Sequence, residues 1–497
     1  MKLRHILGVS AGFHDAALSV VRSDGRIMFA GHSERYSGIK NDAHIHPDLF
    51  QDAANLGIDA IAYYERPWMH NLQQLISGQH AWGPWTTRGA LDRYVGDGWR
   101  QLAVGEVRCW PHHLSHAAAG FQTSPFESAA VVVIDAIGEL DTISIYHANY
   151  DAQGRAQYRR LWRQRYPHSI GLFYSAITQE VGLRPMEEEY ITMGMAAYGD
   201  PSGAAWMRSR YVQDHHGVVF RQNLHAGFDP YEMTPERNED IAAAAQAVTE
   251  GLIQEVICRA RDLTCSPNLV YMGGVALNCV ANAELGRTFD NIWIMPNPGD
   301  AGSSLGAAAL SLGTRLHWNS AYLGHVIPGP YPVEQILCEL EQRKICGVAS
   351  GAAEWGPRAL GNRSLLADPR GPDIKDQVNE IKRRQKFRPF APAILEELVD
   401  TYFVMPPGWH DSRYMQVVAH CRRPDLFPAI VHHDGSSRVQ TVPRDGSGFR
   451  KLLEAWYERT GCPMLLNTSL NIRGEPMVND RGDADRFQAL YGVKVCS

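Results

Sequence analysis

Short apolar runs, each closed by glycine or aspartate, recur along the chain. Ile6 to Ser10 predicts a strand, the polar turn Gly12-Phe13-His14-Asp15 follows, and Ala16 to Val21 predicts a second strand. Asp24-Gly25 has hairpin-turn chemistry and leads into Arg26 to Ala30. Ala129 to Ile134 is unbroken apolar and ends at Asp135-Ala136-Ile137-Gly138-Glu139, with Asp141 to Tyr146 as its hairpin partner. Thr234 as cap and Pro235 in the first turn predict the start of a long helix. Asn268 to Met272 and Ile292 to Met295 predict strands that run into Gly273-Gly274 and Pro296-Asn297-Pro298-Gly299-Asp300. Strands that deliver glycine or aspartate loops at their C-terminal ends predict an α/β architecture with its ligand site there.

Length and composition set the frame. A chain of 497 residues makes about two or three domains. The stretch 322–331, with Gly324, Pro328, Gly329 and Pro330, predicts a linker, giving units over 1–325 and 331–497. No repeat or low-complexity tract shows in the sequence. The composition, 44% hydrophobic and 21% charged with a mean hydropathy of −0.28, is that of a soluble globular protein. The N-terminus lacks the pattern of a signal peptide, and no apolar run has the length of a membrane span. No membrane partner and a cytoplasmic location are therefore expected, in a bacterial host if the gene is phage-borne. Nine cysteines, an odd number without a C-x-x-C pair, predict buried thiols rather than disulfides or a cysteine zinc site.

The net charge of −6 is unevenly spread. Residues 1–330 hold 25 basic and 33 acidic groups (−8), and 331–497 hold 23 and 21 (+2). Lys382, Arg383, Arg384, Lys386 and Arg388 crowd together in the second half. This excludes a generally basic nucleic-acid coat but leaves room for a local basic groove. Trp68, Trp82, Trp85, Trp99 and Trp110 cluster in the first half, as core or as a platform for a planar or sugar-like acceptor.

Four groups can do chemistry. His112 and His116 are spaced i, i+4, so a helix puts both imidazoles on one face. Asp135 and Asp300 each end a strand, and two imidazoles with two carboxylates suit a divalent first-row metal such as iron, manganese or zinc. The plainer alternative is a surface histidine pair and two turn-capping aspartates. The loops at Asp135–Glu139, Gly273–Val275 and Gly299–Gly306 can turn backbone N–H groups toward phosphates. Residues 354–363, 382–390, 433–441 and 466–471 combine arginines with prolines, glycines, hydroxyls and amides, a set that binds anions through guanidinium forks. Residues 382–388 also read as a solvated basic face or a nucleic-acid patch. The basic, aromatic run Tyr158 to Tyr166 reads as an amphipathic surface strand or as one that meets phosphates and bases.

In EWGPRALGNRSLLADPR (354–370), FRPFAP (387–392) and GGVALNC (273–279) the chain resembles the O-carbamoyltransferases, among them the nodulation-factor, cephalosporin and tobramycin enzymes. The resemblance runs from Phe13-His14-Asp15 to Asn467-Thr468-Ser469. It implies an actin-like (ASKHA) metal-binding domain followed by a YrdC-like α/β domain. It implies that carbamoyl phosphate and ATP, with magnesium, form carbamoyl-adenylate in the second domain, and that the first passes the carbamoyl group to an acceptor hydroxyl. By motif match, Arg358, Lys382, Arg388, Arg438 and Ser469 would bind the donor phosphates. His112, His116, Asp135 and Asp300 would hold iron(II) or a similar divalent metal. Gly138, Glu139, Gly273, Gly274, Asn278 and Gly302 would lie against the nucleotide, and His14 falls at an acceptor-site position suited to a general base. A homodimer is one expected assembly.

The chain departs from the family pattern at Gly351-Ala352-Ala353, where Gly-Arg is usual, at Ala136, where glycine is usual, and at Glu189-Tyr190-Ile191-Thr192, where Glu-Gly-Lys is usual. Segments 30–37 and 63–67 resemble phage-encoded members, some of which carbamoylate 5-hydroxymethylcytosine in DNA. That base is the expected acceptor, met by Arg159, Arg160, Arg163 and Arg165. A sugar, nucleotide or natural-product hydroxyl is the alternative. An actin-like ATPase such as a sugar kinase explains the glycine loops but not the arginines. A nucleic-acid-binding scaffold leaves the histidine–aspartate set idle.

Overall fold

The computed structural model describes residues 4–78, 82–215, 217–228 and 237–497. His5–Ser10 (β1), Ala17–Arg22 (β2) and Ile27–His32 (β3) form an antiparallel meander, and Ala60–Tyr63 (β4) and Glu106–Cys109 (β5) add in parallel beside β1. The order is β3-β2-β1-β4-β5. Ile6 to Ser10 are buried on both faces, which is why this strand reads as a nearly continuous apolar run.

A second sheet follows the same plan. Ser128–Gly138 (β6), Asp141–Tyr150 (β7) and Ala156–Arg165 (β8) are antiparallel, and Asn268–Met272 and Asn291–Trp293 add in parallel beside β6. Read from β8, strand order and directions match those of the first sheet. The internal repeat that the sequence does not show is therefore present in the topology, and it is the duplicated plan that the actin-like expectation requires.

Two helices, His112–Thr123 (α1) and Asp300–Leu312 (α2), lie between the sheets in one apolar cluster. Both are rich in small residues, including Ala117, Ala118 and Ala119 on α1 and Ala307, Ala308 and Ala309 on α2, all fully buried. A Cβ on Gly306 would stand 1.8 Å from the Ser115 carbonyl oxygen, and one on Gly8 1.8 Å from that of Ser304. The α2 backbone thus meets α1 on one side and β1 on the other with no side chain between.

The expected helix start at Thr234-Pro235 lies outside the described residues; the helix runs Asn238–Thr264. By length and composition it could cross a membrane, but 67% of its most apolar window is buried, with Ile241, Leu252 and Val256 packed on the outer face of the second sheet.

The predicted linker is a strand over its first part. Tyr322–Ile327 pairs antiparallel with Gly351–Glu354, and only the residues after Ile327 are irregular. Beyond it stands a mixed six-stranded sheet in the order Gln440–Val442, Ala391–Leu395, Met464–Ser469, Arg363–Ala367, Ile345–Ala349 and Val495–Cys496. Leu365, Ile394, Leu465 and Trp456 share its core. The nine cysteines are free.

Gly306→Ala is expected to cost about 1–3 kcal/mol by overpacking α2 against α1. The readout is a lower urea midpoint at unchanged slope, and an unchanged midpoint would show that the contact is slack.

Candidate functional site

The first turns of α1 carry His112 and His116, and the first turn of α2 carries Asp300. Asp135, on β6, completes a buried group whose four ligand atoms lie within 4.8 Å of one another. The two Nε2 atoms are 3.1 Å apart. His112 Nε2 stands 3.3 Å from Asp135 Oδ2 and 3.2 Å from Asp300 Oδ1; His116 Nε2 stands 3.4 and 3.1 Å from the same atoms. Four ligands about 2.1 Å from a divalent ion have neighbouring edges of about 3.0–3.4 Å, so this spacing fits a bound metal.

The outer contacts aim the lone pairs inward. His112 Nδ1 faces Glu65 Oε2 at 3.5 Å, and His116 Nδ1 faces the Pro298 carbonyl at 3.0 Å, leaving both Nε2 atoms for the centre. Asp135 Oδ1 accepts the N–H groups of Ala136 (2.9 Å) and Gly274 (3.3 Å), leaving Oδ2 free. Burial alone would lower the imidazole pKa values and raise the carboxyl ones. The hydrogen bonds and fields between them outweigh it, so His112 and His116 are raised and Asp135 and Asp300 lowered. The centre therefore holds positive charge strongly, whether a proton or a metal ion.

His14 flanks the centre, with Nε2 3.8 Å from Asp300 Oδ2 and Nδ1 3.0 Å from Asp15 Oδ2. Burial pushes its pKa down, but the Asp15 hydrogen bond and the fields of Asp15, Asp300 and Asp135 raise it to about 9.

A cavity of about 500 Å³ joins this centre to the second half of the chain. His14, Asp135 and Asp300 line it together with Arg358, Lys382, Arg388, Arg438 and Ser469. Arg384, Tyr190 and Asp15 line it as well; the sequence placed them in the basic run, in a departure from the family pattern and in the first motif, without giving any of them a role. Lys382 is buried and its ammonium donates to the carbonyl and hydroxyl of Ser469 (2.5 and 3.2 Å) and to the carbonyl and side-chain oxygens of Asn471 (both 2.9 Å). Its basic run is thus no solvated helix face, although Arg383 and Lys386 are exposed. Arg388 lies over the Tyr190 ring at 4.8 Å, and the buried Arg438 Nε has no hydrogen-bond partner among the described residues.

Burial, then the field of Arg438, lowers Arg358 to about 9; burial and neighbouring arginines lower Arg384 and Arg388 too. Tyr190 and Cys279 oppose these shifts, and none of the three arginines forms an ion pair with a carboxylate among the described residues. A guanidinium keeps its proton at neutral pH, so an anionic ligand is what would relieve this crowding.

The conspicuous motif at 354–363 is mostly scaffold. Glu354 Oε1 accepts the N–H groups of Leu360, Asn362 and Arg363 at 2.8, 2.9 and 3.1 Å. Arg363 is fully buried and donates to the carbonyls of Asn479, Ser350, Asn362, His325 and Gly351. Of the motif's charged side chains, Arg358 is the one that lines the cavity.

Gly274 and Asn278 also line the cavity, but Gly138, Glu139, Gly273 and Gly302 do not. At these positions the structure shows packing. A Cβ on Gly138 would stand 2.5 Å from His113 Cδ2 and 2.7 Å from His112 Cδ2, one on Gly273 2.1 Å from the Ile134 oxygen, and one on Gly302 1.8 Å from the Asn297 oxygen. Glu139 accepts the Arg66 backbone N–H at 2.8 Å and pairs with its guanidinium. Sequence reasoning also passed over Glu65, which is brought to His112 only by the fold.

A family model described as Carbamoyltransferase N-terminus matches residues 94–309, and one described as Carbamoyltransferase C-terminus matches residues 338–495. The chain is 31% identical to Nodulation protein NolNO of Sinorhizobium fredii, over 95% of this chain and 76% of that one. It is 30% identical to Nodulation protein U of Bradyrhizobium diazoefficiens, over 97% and 94%. Among solved structures, an activator of the 2-hydroxyisocaproyl-CoA dehydratase from Clostridium difficile, with bound ADPNP, aligns over 62% of this chain and 94% of its own at 12% identity. Its TM-score of 0.34 is too low to carry a conclusion.

The four-ligand centre predicts one divalent ion per chain by elemental mass spectrometry, and its loss in His116→Ala. Glu65→Gln should weaken metal affinity about 10–100-fold by releasing the His112 ring. Metal retention equal to the native protein's in His116→Ala would refute the centre.

Proposed function

The chain belongs to the carbamoyltransferase family, and on that premise we propose that it forms carbamoyl-adenylate from carbamoyl phosphate and ATP and passes the carbamoyl group to a hydroxyl on a small molecule. The observation that carries this reading is a half-buried set of arginines that form no ion pair with a carboxylate among the described residues, in the same cavity as Asp135 and Asp300 of the histidine–aspartate centre.

Water opens carbamoyl phosphate to carbamate and phosphate. A carbamate oxygen attacks the α-phosphorus of ATP, and pyrophosphate leaves. The acceptor oxygen then attacks the carbamoyl carbon, gives up its proton, and AMP departs. Arg358, Arg388 and Arg438 hold the phosphates, with Arg384 beside them and magnesium accompanying ATP. Lys382 ties down the Ser469–Asn471 loop. In this reading, 331–497 is the YrdC-like adenylate-forming unit and 1–325 the actin-like transfer unit.

A divalent ion held by His112, His116, Asp135 and Asp300, iron(II) in this reading, would supply a Lewis acid beside the transferring group. His14 takes the acceptor's proton. It does so in its neutral form: the Asp15 hydrogen bond, the largest cause raising it, orients the ring, and a cation at the centre would offset only the fields of Asp300 and Asp135.

The acceptor reading departs from the expected 5-hydroxymethylcytosine. On β8, Arg160, Arg163 and Arg165 lie 3.1, 4.0 and 3.5 Å from Asp141, whose one charge offsets only part of theirs, but neither they nor Arg159 line the cavity that holds His14 and the donor arginines. The acceptor is therefore read from the cavity, whose volume of about 500 Å³ suits a small-molecule hydroxyl.

Arg388→Ala and Arg438→Ala each remove a charge-assisted phosphate contact, expected to cost about 2–5 kcal/mol. Both should abolish pyrophosphate release from ATP plus carbamoyl phosphate. Release at the native rate in either variant would overturn the donor site, and ATP hydrolysis indifferent to carbamoyl phosphate would favour a plain actin-like ATPase.

A further inference from the structure

Tyr190 lies in one of the stretches where the chain departs from the pattern of its family. It belongs to the helix Glu189–Ala196, in the first half of the chain, and is 43% exposed. Its neighbours are tied inward. Glu189 Oε1 accepts the Ser175 hydroxyl at 2.6 Å, Ile191 is buried, and the Thr192 hydroxyl meets that of Thr178 at 2.9 Å. With the residues on either side so anchored, the Tyr190 side chain is left to line the cavity.

What the ring meets there comes from the second half. The Arg388 guanidinium lies over it, 4.8 Å from the ring centre. Arg384 is held in a similar way but locally: its guanidinium lies 4.3 Å over Phe390, and its Nε donates to the Asn379 side-chain oxygen at 2.7 Å. Arg384 thus has its aromatic support within its own half, whereas Arg388 takes it from the other. The segment that carries the ring is fixed across the same gap at both ends. Arg473 Nη2 donates to Glu188 Oε1 at 2.7 Å just before the helix, and the Tyr198 hydroxyl donates to the Phe387 carbonyl at 3.0 Å just after it. The residue next to Arg388 is therefore gripped by the same segment that supplies the ring.

A ring does here what a carboxylate could not. A carboxylate beside Arg388 would fix the guanidinium but occupy its N–H groups and cancel its charge. An aromatic face holds the flat of the group and leaves the N–H edge and the charge to a ligand. Arg388 forms no ion pair with a carboxylate among the described residues, and Glu188 spends its charge on Arg473 and Arg184. Without the ring, the phosphate itself would have to order a long, rotamer-rich side chain, and affinity would fall.

We infer that Tyr190 is a positioning residue of the donor site: its ring, carried by the first half of the chain, holds the Arg388 guanidinium flat so that the N–H edge meets a substrate phosphate. The inference rests on the donor reading above and adds that the donor site is not complete within 331–497. A contact that orients a phosphate-binding group away from the reacting bond acts on binding, so it sets KM rather than kcat.

The test uses the full chain and the variants Tyr190→Ala, Tyr190→Leu and Tyr190→Phe. Calorimetric titration with ATP and, separately, with carbamoyl phosphate reads affinity, and pyrophosphate release from the two together reads KM and kcat. In Tyr190→Ala and Tyr190→Leu the affinity for at least one of the two is expected to fall, and its KM to rise, about tenfold, with kcat within about threefold. Tyr190→Phe keeps the ring face and should stay within about twofold of the native protein. The urea midpoint should not move, because the exposed ring fills no core. Native affinities in Tyr190→Ala overturn the inference; so does a loss in Tyr190→Phe as large as in Tyr190→Ala, or a loss matched by a lower urea midpoint. If the native protein releases pyrophosphate while Tyr190→Ala keeps native affinities, the donor reading stands without Tyr190. If the native protein releases none, the donor reading falls, and a tenfold affinity loss in Tyr190→Ala still supports the positioning of Arg388 toward an anion.

Discussion

The structure depends on how closely α1 and α2 approach. Their facing surfaces are glycine, alanine and serine, so the Gly306 backbone can rest on the Ser115 carbonyl. Each helix has its N-terminal turn at the same end of the sandwich, and the close approach sets His116 Nε2 3.1 Å from Asp300 Oδ1. A bulkier interface would part the helices and leave two buried imidazoles and two buried carboxylates without each other, which the interior does not tolerate. The centre is thus a consequence of helix packing as much as of ligand identity.

The cavity has two poles. At one, Asp135 and Asp300 concentrate negative charge; at the other, Arg358, Arg384, Arg388 and Arg438 concentrate positive charge, and none of the four forms an ion pair with a carboxylate among the described residues. The poles do not neutralise one another, because each set is held by its own scaffold. Glu354 and Arg363 spend their charges on backbone groups, and Glu139 spends its charge on Arg66. What remains is a site that a cation completes at one end and a phosphate-bearing anion at the other.

Much of this was legible in the chain, for identifiable reasons. The β1–β3 meander shows because Asp24-Gly25 is a strong local turn signal between apolar strands. His112 and His116 show because i, i+4 spacing needs only a helix to become geometry. The doubled sheet stayed hidden because strand order is set by long-range pairing, and its two copies share no recognisable sequence. Gly138 was read as room for a nucleotide, yet the space belongs to the rings of His112 and His113; a missing side chain does not say what fills its place. Tyr322–Ile327 was read as linker because glycine and proline dominate the stretch, while its pairing partner, Gly351–Glu354, lies beyond an intervening helix and strand.

The motif at 354–363 shows why resemblance and role diverge. Its most conspicuous charges, Glu354 and Arg363, never reach the cavity, and yet the cavity depends on them. Glu354 gathers three N–H groups of the following loop, and Arg363 gathers carbonyls from three separate stretches of chain, so the loop is fixed from both sides. Arg35 ties it to the first half by donating to the carbonyls of Glu354 and Gly356 at 2.6 and 2.7 Å. Only with the loop so held can Arg358 be kept half-buried beside Arg438, where its own electrostatics would drive it out. The buried polar network outside the cavity thus stabilises an unfavourable arrangement inside it, and that arrangement is poised for an anion.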